Sequence, residues 1–395
     1  MRTFTPEEQH FIQEHQHEDV AQLMLQASRY PHLPVQELVQ QIKARQKAAQ
    51  KLKTWVANPQ VVFPVALSVE QSSSELTASY KAGLVQGKLL VDVTGGFGID
   101  SFYFAKSFQQ VVHVEQNRAL QEVAAYNFGL LGAQNIRSLN TTAEAFLESF
   151  SGKADVLYLD PARRGNQDQK LHLLQDCEPD VLQLLPLLFQ KARAVLLKTS
   201  PMLDIEQAMQ ELGHVSQVWV VALQNEVKEV LYLLQPGAPP LSEAPHTAVN
   251  LLPQAPPQVL HFTRTQEEAA TPVYADPQAY VYEPNAAILK AGAYRFLTQP
   301  FGLKKLHPNS HLYTSNVLVP DFPGRSFRCL HTSRYNKKEL LRQLPGKKAN
   351  ITVRNFPESV ADIRKKTGLK EGGITYLFFT TDMHQKPLVL ICEKA

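Results

Sequence analysis

The stretch Leu89-Leu-Val-Asp-Val-Thr-Gly-Gly-Phe-Gly-Ile-Asp100 constrains this chain more than any other. An apolar run ends at Asp92. Glycines stand at 95, 96 and 98, and the helical pattern Ser101-Phe-Tyr-Phe-Ala-Lys106 follows. A strand that feeds a glycine turn and then a helix N-terminus brings backbone N–H groups close to a ligand.

The surroundings suit that unit. From residue 87 to about 235 the pattern alternates strand and helix, with strands expected at 89–93, 110–114, 135–139, 155–159, 193–198, 216–222 and 229–234. Such alternation predicts an α/β domain with a doubly wound parallel sheet. Only Gln224-Asn225 and its neighbours separate the last two strands, so these are expected to form an antiparallel hairpin.

At 395 residues the chain needs more than one core, and two or three domains are expected. Residues 1–80 read as a helical N-terminal domain. Thr5-Pro6-Glu7-Glu8 supplies a cap, a proline at the first helical position and acids in the first turn. A second helix is expected from Pro34 to Trp55, with Lys43, Arg45, Lys47, Lys51 and Lys53 on its outer face, and a third, capped one over Ser72–Tyr80. Residues 81–240 form the α/β domain. Residues 235–258 are rich in proline and alanine and are expected to serve partly as a linker. They open an α+β region, 241–324, with strands at 259–263 and 273–281 and a helix at 285–297. A last module, 325–395, reads strand, helix, strand, helix, strand, strand.

Composition removes several classes. Hydrophobic residues make up 44% and charged residues 19%, as in globular proteins. No apolar run approaches the roughly 20 residues that span a bilayer. The N-terminus has no signal-peptide pattern, and three scattered cysteines fit a reducing cytoplasm better than a disulfide or zinc framework. His10, His15 and His17 do not share a helical face, so they read as surface residues and no metal is expected. The net charge is only +3, yet 13 Lys/Arg stand against 3 Asp/Glu between Arg325 and Lys370. A basic module on an acidic body points to a polyanionic partner.

Two more carboxylates narrow the ligand. Glu115 ends the second expected strand, 23 residues after Asp92, where an acid can accept hydrogen bonds from ribose hydroxyls. Asp160-Pro161-Ala-Arg163-Arg164 closes the fourth strand, and a dehydrogenase has no evident use for Asp-Pro there. On these residues the chain resembles the class I S-adenosylmethionine-dependent methyltransferases over about 85–235, with Thr94 in place of the first glycine of the family's D-x-G-x-G-x-G pattern. The resemblance implies a Rossmann-like seven-stranded methyltransferase sheet and S-adenosyl-L-methionine as cofactor. It places Asp92, Thr94, Gly95, Gly96 and Gly98 in the cofactor loop, Glu115 at the ribose, Thr142 to Glu144 near the adenine, and Asp160 facing the transferable methyl. Gln71-Ser-Ser-Ser-Glu75 stands where relatives cover the methionine end.

The acceptor is narrowed by the same motif. Asp160-Pro161 is similar to the motif of enzymes that methylate exocyclic base amines, with Arg163 or Arg164 in place of the aromatic. It is also similar to the Asp-Pro-Pro-Arg of RNA 5-methyluridine enzymes, but Leu197-Lys-Thr-Ser-Pro201 carries none of the thiol that pyrimidine C5 chemistry needs. The whole chain resembles a bacterial group of methyltransferases with a ferredoxin-like insert and a C-terminal THUMP-like domain. Ala27-Ser-Arg-Tyr-Pro31 and Thr352-Val-Arg-Asn-Phe356 belong to that resemblance. It implies RNA, tRNA or rRNA, as partner, and the Asp160-Pro161 similarity implies a base nitrogen as acceptor. Arg328, Arg334, Lys337, Lys338, Lys347, Lys348, Arg354, Lys365 and Lys366 are the expected phosphate contacts, with Phe327, Tyr335 and Phe356 as expected stacking partners. Two readings stay open beside it: a methyltransferase for a protein or small molecule, and a non-catalytic RNA-binding protein with a degenerate cofactor pocket.

Overall fold

The protein is described by a computed structural model that covers residues 2–163, 174–344 and 346–395. Two compact units result. One comprises Met1–Ser216 with Val230–Pro239, the other Gln217–Glu229 with Pro240–Ala395. All seven strands expected between 87 and 235 form.

The first unit holds a Rossmann-like α/β sheet. Strands β1 (Gly87–Asp92), β2 (Phe108–Glu115), β3 (Ile136–Asn140) and β4 (Ala154–Leu159) are parallel, with Asp92 level with His113 on one side and Tyr158 on the other. Beyond β4 the order continues through Ala192–Thr199, parallel, to Glu226–Leu234, which is antiparallel through Val230–Leu234. The chain therefore leaves β1 in both directions, and the C-terminal tips of β1, β2 and β4 border the crevice where such sheets bind ligands. Leu90, Val91, Val111, Val114, Leu157, Leu196 and Leu197 are buried without alternation, as in sheets covered on both faces.

The N-terminal segment is helical, and tertiary contacts adjust its details. Helix Pro6–Glu14 has the expected cap: Thr5 accepts the Glu8 N–H, and the Glu8 carboxylate accepts the Thr5 N–H at 2.9 Å. Phe11, Ile12, Leu23, Leu38 and Ile42 build a small core. The second helix stops at Ala48 and a short one resumes at Lys53–Ala57. Arg45, expected on the outer face, is buried and donates to the carbonyls of Pro59 and Val61 at 2.7 and 2.6 Å, thereby fixing the chain reversal after Asn58. Burial pushes its guanidinium pKa down to about 10. His15, expected at the surface, packs its ring against Phe11 at 4.4 Å. The third helix runs Glu75–Ala82, with Ser74 rather than Ser72 as its cap.

The second unit holds a three-stranded group, in which His246–Leu252 runs parallel to residues 218–223 of the strand Val215–Leu223, and a mixed sheet. His246–Leu252 and Ala255–Phe262 are antiparallel strands, so much of the expected linker is ordered, with Pro256 and Pro257 where Ala255–Phe262 needs fewer ladder donors. Among the described residues, the mixed sheet orders Lys304–Lys305, Tyr313–Ser315, Tyr280–Pro284, Gly324–Ser333, Pro387–Lys394, Thr375–Thr381 and Asn350–Val353. The expected strand 273–281 is thus displaced to Tyr280–Pro284. The helix expected over 285–297 ends at Ala291, because Gly292 takes a left-handed conformation (φ 78°). Helices Lys337–Gln343 and Val360–Thr367 bury Leu340 and Ile363 against Leu377, Phe379, Val389 and Ile391. Val281, Leu306, Phe327, Phe378 and Leu390 form a second cluster. Among the described residues, no helix is long and apolar enough to cross a membrane.

Glu283 sits in the Tyr280–Pro284 strand of that sheet at 3% exposure. Its Oε2 accepts the Arg325 Nε–H at 2.8 Å, and its Oε1 lies 2.7 Å from Nη2 of Arg354. Removing the carboxylate leaves two guanidiniums facing one another. Both are partly exposed, so the expected loss for Glu283→Ala is about 2 kcal/mol, below the roughly 3–5 kcal/mol of a fully buried broken pair. The shift of the urea midpoint measures it. An unshifted midpoint would mean that the carboxylate does not hold the sheet together.

Candidate active site

The site begins with one buried carboxyl group. Asp92 closes β1 at 1% exposure. Its Oδ1 accepts the Thr94 N–H at 3.1 Å and its Oδ2 accepts the Ser101 hydroxyl at 2.6 Å. Strand, turn and the following helix (Ile99–Phe104) are therefore tied together by one side chain. Asp92 lies under the loop and organises it. Burial is the main reason its pKa is raised from 3.8 to about 7; the nearby carboxylates of Asp100 and Asp160 add to the rise, against the Ser101 and Thr94 hydrogen bonds.

Two of the glycines are forced by close approach. A Cβ on Gly95 would lie 2.3 Å from the His113 ring. Gly98 has φ +86°, and a Cβ there would meet Phe128 at 2.4 Å. His113 itself is buried, and desolvation lowers its pKa to about 4, so the ring is neutral. Its Nε2 faces the Gly96 carbonyl at 3.3 Å, which requires the proton on that nitrogen and leaves Nδ1 to accept from Ser138 at 3.0 Å. No reading of the sequence singled out His113; a polar residue inside the apolar run Val111–Val114 was the available signal.

At the tip of β2, Glu115 accepts the Gly96 N–H at 2.8 Å and the Asn117 N–H at 2.7 Å. Both oxygens are fixed, and each keeps a lone pair for further donors. Past β3, the Thr142 hydroxyl caps helix Ala143–Ser149 by accepting the Ala145 N–H at 3.2 Å, and Glu144 is exposed in its first turn. At the tip of β4, the Asp160 N–H donates to the Thr94 hydroxyl at 2.6 Å, and its carboxylate pairs with Lys198. The threonine that replaces the family's first glycine thus links the β1 and β4 tips. Pro161 is half-buried, and the backbone of Ala162–Arg163 pairs with Cys177–Glu178. Arg164 lies outside the described residues.

A second group of charges lies behind this front. Lys81 is wholly buried, with Nζ 3.2 Å from Asp100 Oδ1 and 2.9 Å from the Ser73 hydroxyl. The other Asp100 oxygen accepts from Ser73 at 2.9 Å and Tyr158 at 2.8 Å. Burial opposes ionisation of Asp100, but Lys81 and then Lys198, with the Tyr158 and Ser73 hydrogen bonds, hold its pKa below the ordinary 3.8. The Gln71–Glu75 segment enters here through Ser73, while Glu75 accepts the Thr54 N–H at 2.8 Å and caps the neighbouring helix. Trp55 packs edge-on to Phe97 at 5.1 Å, so the N-terminal helices buttress the glycine loop.

The expected phosphate contacts divide into two groups. Lys337, Lys338, Lys347, Lys348 and Lys365 are exposed. Lys347 and Lys348 lie beside Lys370, whose N–H donates to the Lys347 carbonyl at 2.9 Å. Arg328, Arg334 and Lys366 pair with Glu393, Asp382 and Glu358, and Arg354 with Glu283. Of the expected stacking partners, Phe327 is fully buried, and Tyr335 and Phe356 pack on Phe379. These rings serve the core.

Known proteins match the chain at two scales. A family model described as a ferredoxin-like domain matches residues 280–323, and one described as THUMP domain-like matches 324–394. The crystal structure of a candidate methyltransferase from Porphyromonas gingivalis W83 superposes with a TM-score of 0.89 at 31% identity, covering 100% of both chains. An uncharacterized RNA methyltransferase from Gloeobacter violaceus is 29% identical over 125 residues, which is 32% of this chain and 24% of that protein. The match thus spans about a quarter of that relative's length.

The buried Asp92 carboxyl carries a stability signature. Its folded pKa stands above the unfolded one, so its contribution is fully present below pH ~4 and is lost as pH rises through about 7. With no ligand added, the stability of Asp92→Asn relative to wild type is expected to improve by on the order of 2–4 kcal/mol between pH 4 and pH 8, on top of a pH-independent cost for the acceptor that the amide loses. Thermal melts across that range test it; a pH-independent difference would refute burial as the cause.

Proposed function

The chain belongs to the class I S-adenosylmethionine-dependent methyltransferases that carry a ferredoxin-like and a THUMP-like domain, and we propose that its acceptor is a base nitrogen of tRNA or rRNA, held beside Asp160. The residues at the strand tips suit the cofactor. Gly95 and Gly98 let the turn press against His113 and Phe128, which brings its backbone N–H groups to the strand tips, and Glu115 stands braced at the tip of β2 with lone pairs free for two hydroxyls. Even with the Asp92 carboxyl neutral, Asp100, Glu115 and Asp160 outnumber Lys81 and Lys198 at these strand tips, which suits a ligand that carries positive charge. S-adenosylmethionine supplies there an electrophilic methyl group on a positively charged sulfur.

One observation carries the choice of acceptor. Asp160 is fixed by Thr94 and Lys198 at the tip of β4, yet its side chain keeps 35% exposure. A carboxylate so placed can accept a hydrogen bond from an incoming amine and turn the nitrogen lone pair toward the methyl group, with alignment doing most of the catalytic work. The exposed Lys337, Lys338, Lys347, Lys348 and Lys365 supply phosphate contacts for a folded RNA. With Phe327 buried and the partly buried Tyr335 and Phe356 packed on Phe379, those contacts rest chiefly on charge. The name of the Gloeobacter relative agrees with RNA as substrate.

Nucleoside mass spectrometry of RNA from cells with and without the protein tests this reading. One methylated nucleoside is expected to disappear and to return with the wild-type chain but not with Asp160→Ala, while that variant keeps its affinity for the cofactor. An unchanged nucleoside profile would remove RNA as the acceptor, and restoration by Asp160→Ala would remove the role of Asp160.

A further inference from the structure

Lys198 is the next-to-last residue of the strand Ala192–Thr199. In the parallel register Leu159 lies opposite Leu197, so Lys198 comes level with Asp160. Its side chain is 11% exposed, and its ammonium pairs with Oδ2 of Asp160. The main chain of Asp160 is held from the other side by Thr94, at 2.6 Å. Among the described residues no hydrogen bond engages Oδ1 of Asp160. The carboxylate therefore has one occupied oxygen and one that can face a substrate.

This asymmetry matters for methyl transfer. As the acceptor nitrogen bonds to the methyl carbon, the carbon–sulfur electron pair stays with sulfur, and the positive charge passes to the nitrogen, which then releases its proton to water. A carboxylate drawn to the sulfur would stabilise the starting state, whereas one turned to the nitrogen stabilises the charge that develops. We infer that Lys198 is a positioning residue, which anchors one oxygen of Asp160 so that the other is presented to the acceptor nitrogen and is kept from pairing with the cofactor's cation.

The placement of Lys198 between two acids supports this. Its charge also helps to hold Asp100 ionised, and Asp100 is itself fixed by the buried Lys81, Ser73 and Tyr158. The ammonium is thus attracted by two acids, of which Asp100 has a fixed place of its own. A flexible surface lysine would not fix a carboxylate in this way. The inference rests on the methyl-transfer reading of Asp160, and its test separates the two.

The full-length protein is titrated calorimetrically with sinefungin, which carries an ammonium at the place of the methyl, and with S-adenosylhomocysteine, which is neutral there. In Lys198→Met the released carboxylate pairs with that ammonium. Sinefungin is expected to gain about 10-fold relative to S-adenosylhomocysteine, whose own affinity stays within about 2-fold. Asp160→Asn in the same chain abolishes the gain. An unchanged ratio in Lys198→Met, or a gain that survives Asp160→Asn, overturns the proposal. Lys198→Arg keeps the cation and is expected to retain the wild-type ratio; its melting temperature and that of Lys198→Met control for folding. With RNA from cells lacking the protein as acceptor, Lys198→Met lowers kcat at least about 10-fold with the cofactor KM within about 2-fold, and Lys198→Arg recovers part of the loss. Loss through KM alone would also overturn it. Should wild-type protein transfer nothing to RNA, the acceptor assignment fails while the two calorimetric ratios still decide the role of Lys198.

Discussion

Asp92 is at 1% exposure, with one oxygen on the Thr94 N–H and the other on the Ser101 hydroxyl. Strand, turn and helix are therefore joined where the backbone would otherwise be free to splay. Thr94, held by that carboxyl, accepts the Asp160 N–H through its hydroxyl, while Gly96, two residues on, donates its N–H to Glu115. The tips of β1, β2 and β4 are in this way bound into one frame by a few hydrogen bonds, made by the side chains of Asp92, Thr94 and Glu115. The cost is electrostatic: a carboxyl group so deeply buried is held near neutrality at its own pKa of about 7, and only a cationic guest would favour its ionised form.

The charges behind the frame balance that cost. Lys81 is buried against Asp100, and Lys198 stands between Asp100 and Asp160. Each ammonium has a carboxylate, which leaves Asp92 and Glu115 as the acids without a lysine partner in this group. An excess of acids at the strand tips disfavours anions there. The His113 ring adds no charge, because burial keeps it neutral while its nitrogens face Gly96 and Ser138.

The α/β frame was legible because buried parallel strands leave apolar runs, and because a turn pressed against a histidine ring tolerates only glycine. The positions of Asp92, Glu115 and Asp160 followed from strand ends. Residues with long or ambivalent side chains were not legible. Arg45 has the spacing of a surface residue, yet it fills the reversal after Asn58. His15 reads as polar but lies against Phe11. Lys81, Ser73, Asp100 and Tyr158 form one network, with Asp100 and Tyr158 58 positions apart, and no local pattern marks such a pairing. Likewise the aromatics among the C-terminal basic residues alternate as either a stacking surface or a core would, and only the packing of Phe356 and Tyr335 on Phe379 distinguishes the two.

Glu283 lies in the segment matched by the ferredoxin-like model, whereas Arg325 and Arg354 lie in the THUMP-like segment. Asn355 also reaches across, to His307 at 3.0 Å, and the strands Tyr280–Pro284 and Gly324–Ser333 pair side by side. A boundary drawn between residues 323 and 324 by family resemblance therefore runs through a continuous ladder. Cutting the chain there would strip the hydrogen-bond partners from both strands and strand a carboxylate without its arginines, producing two sticky fragments. The basic lobe has to be dissected by surface charge reversal in the intact polypeptide, since a truncated piece would report on its own raw edge.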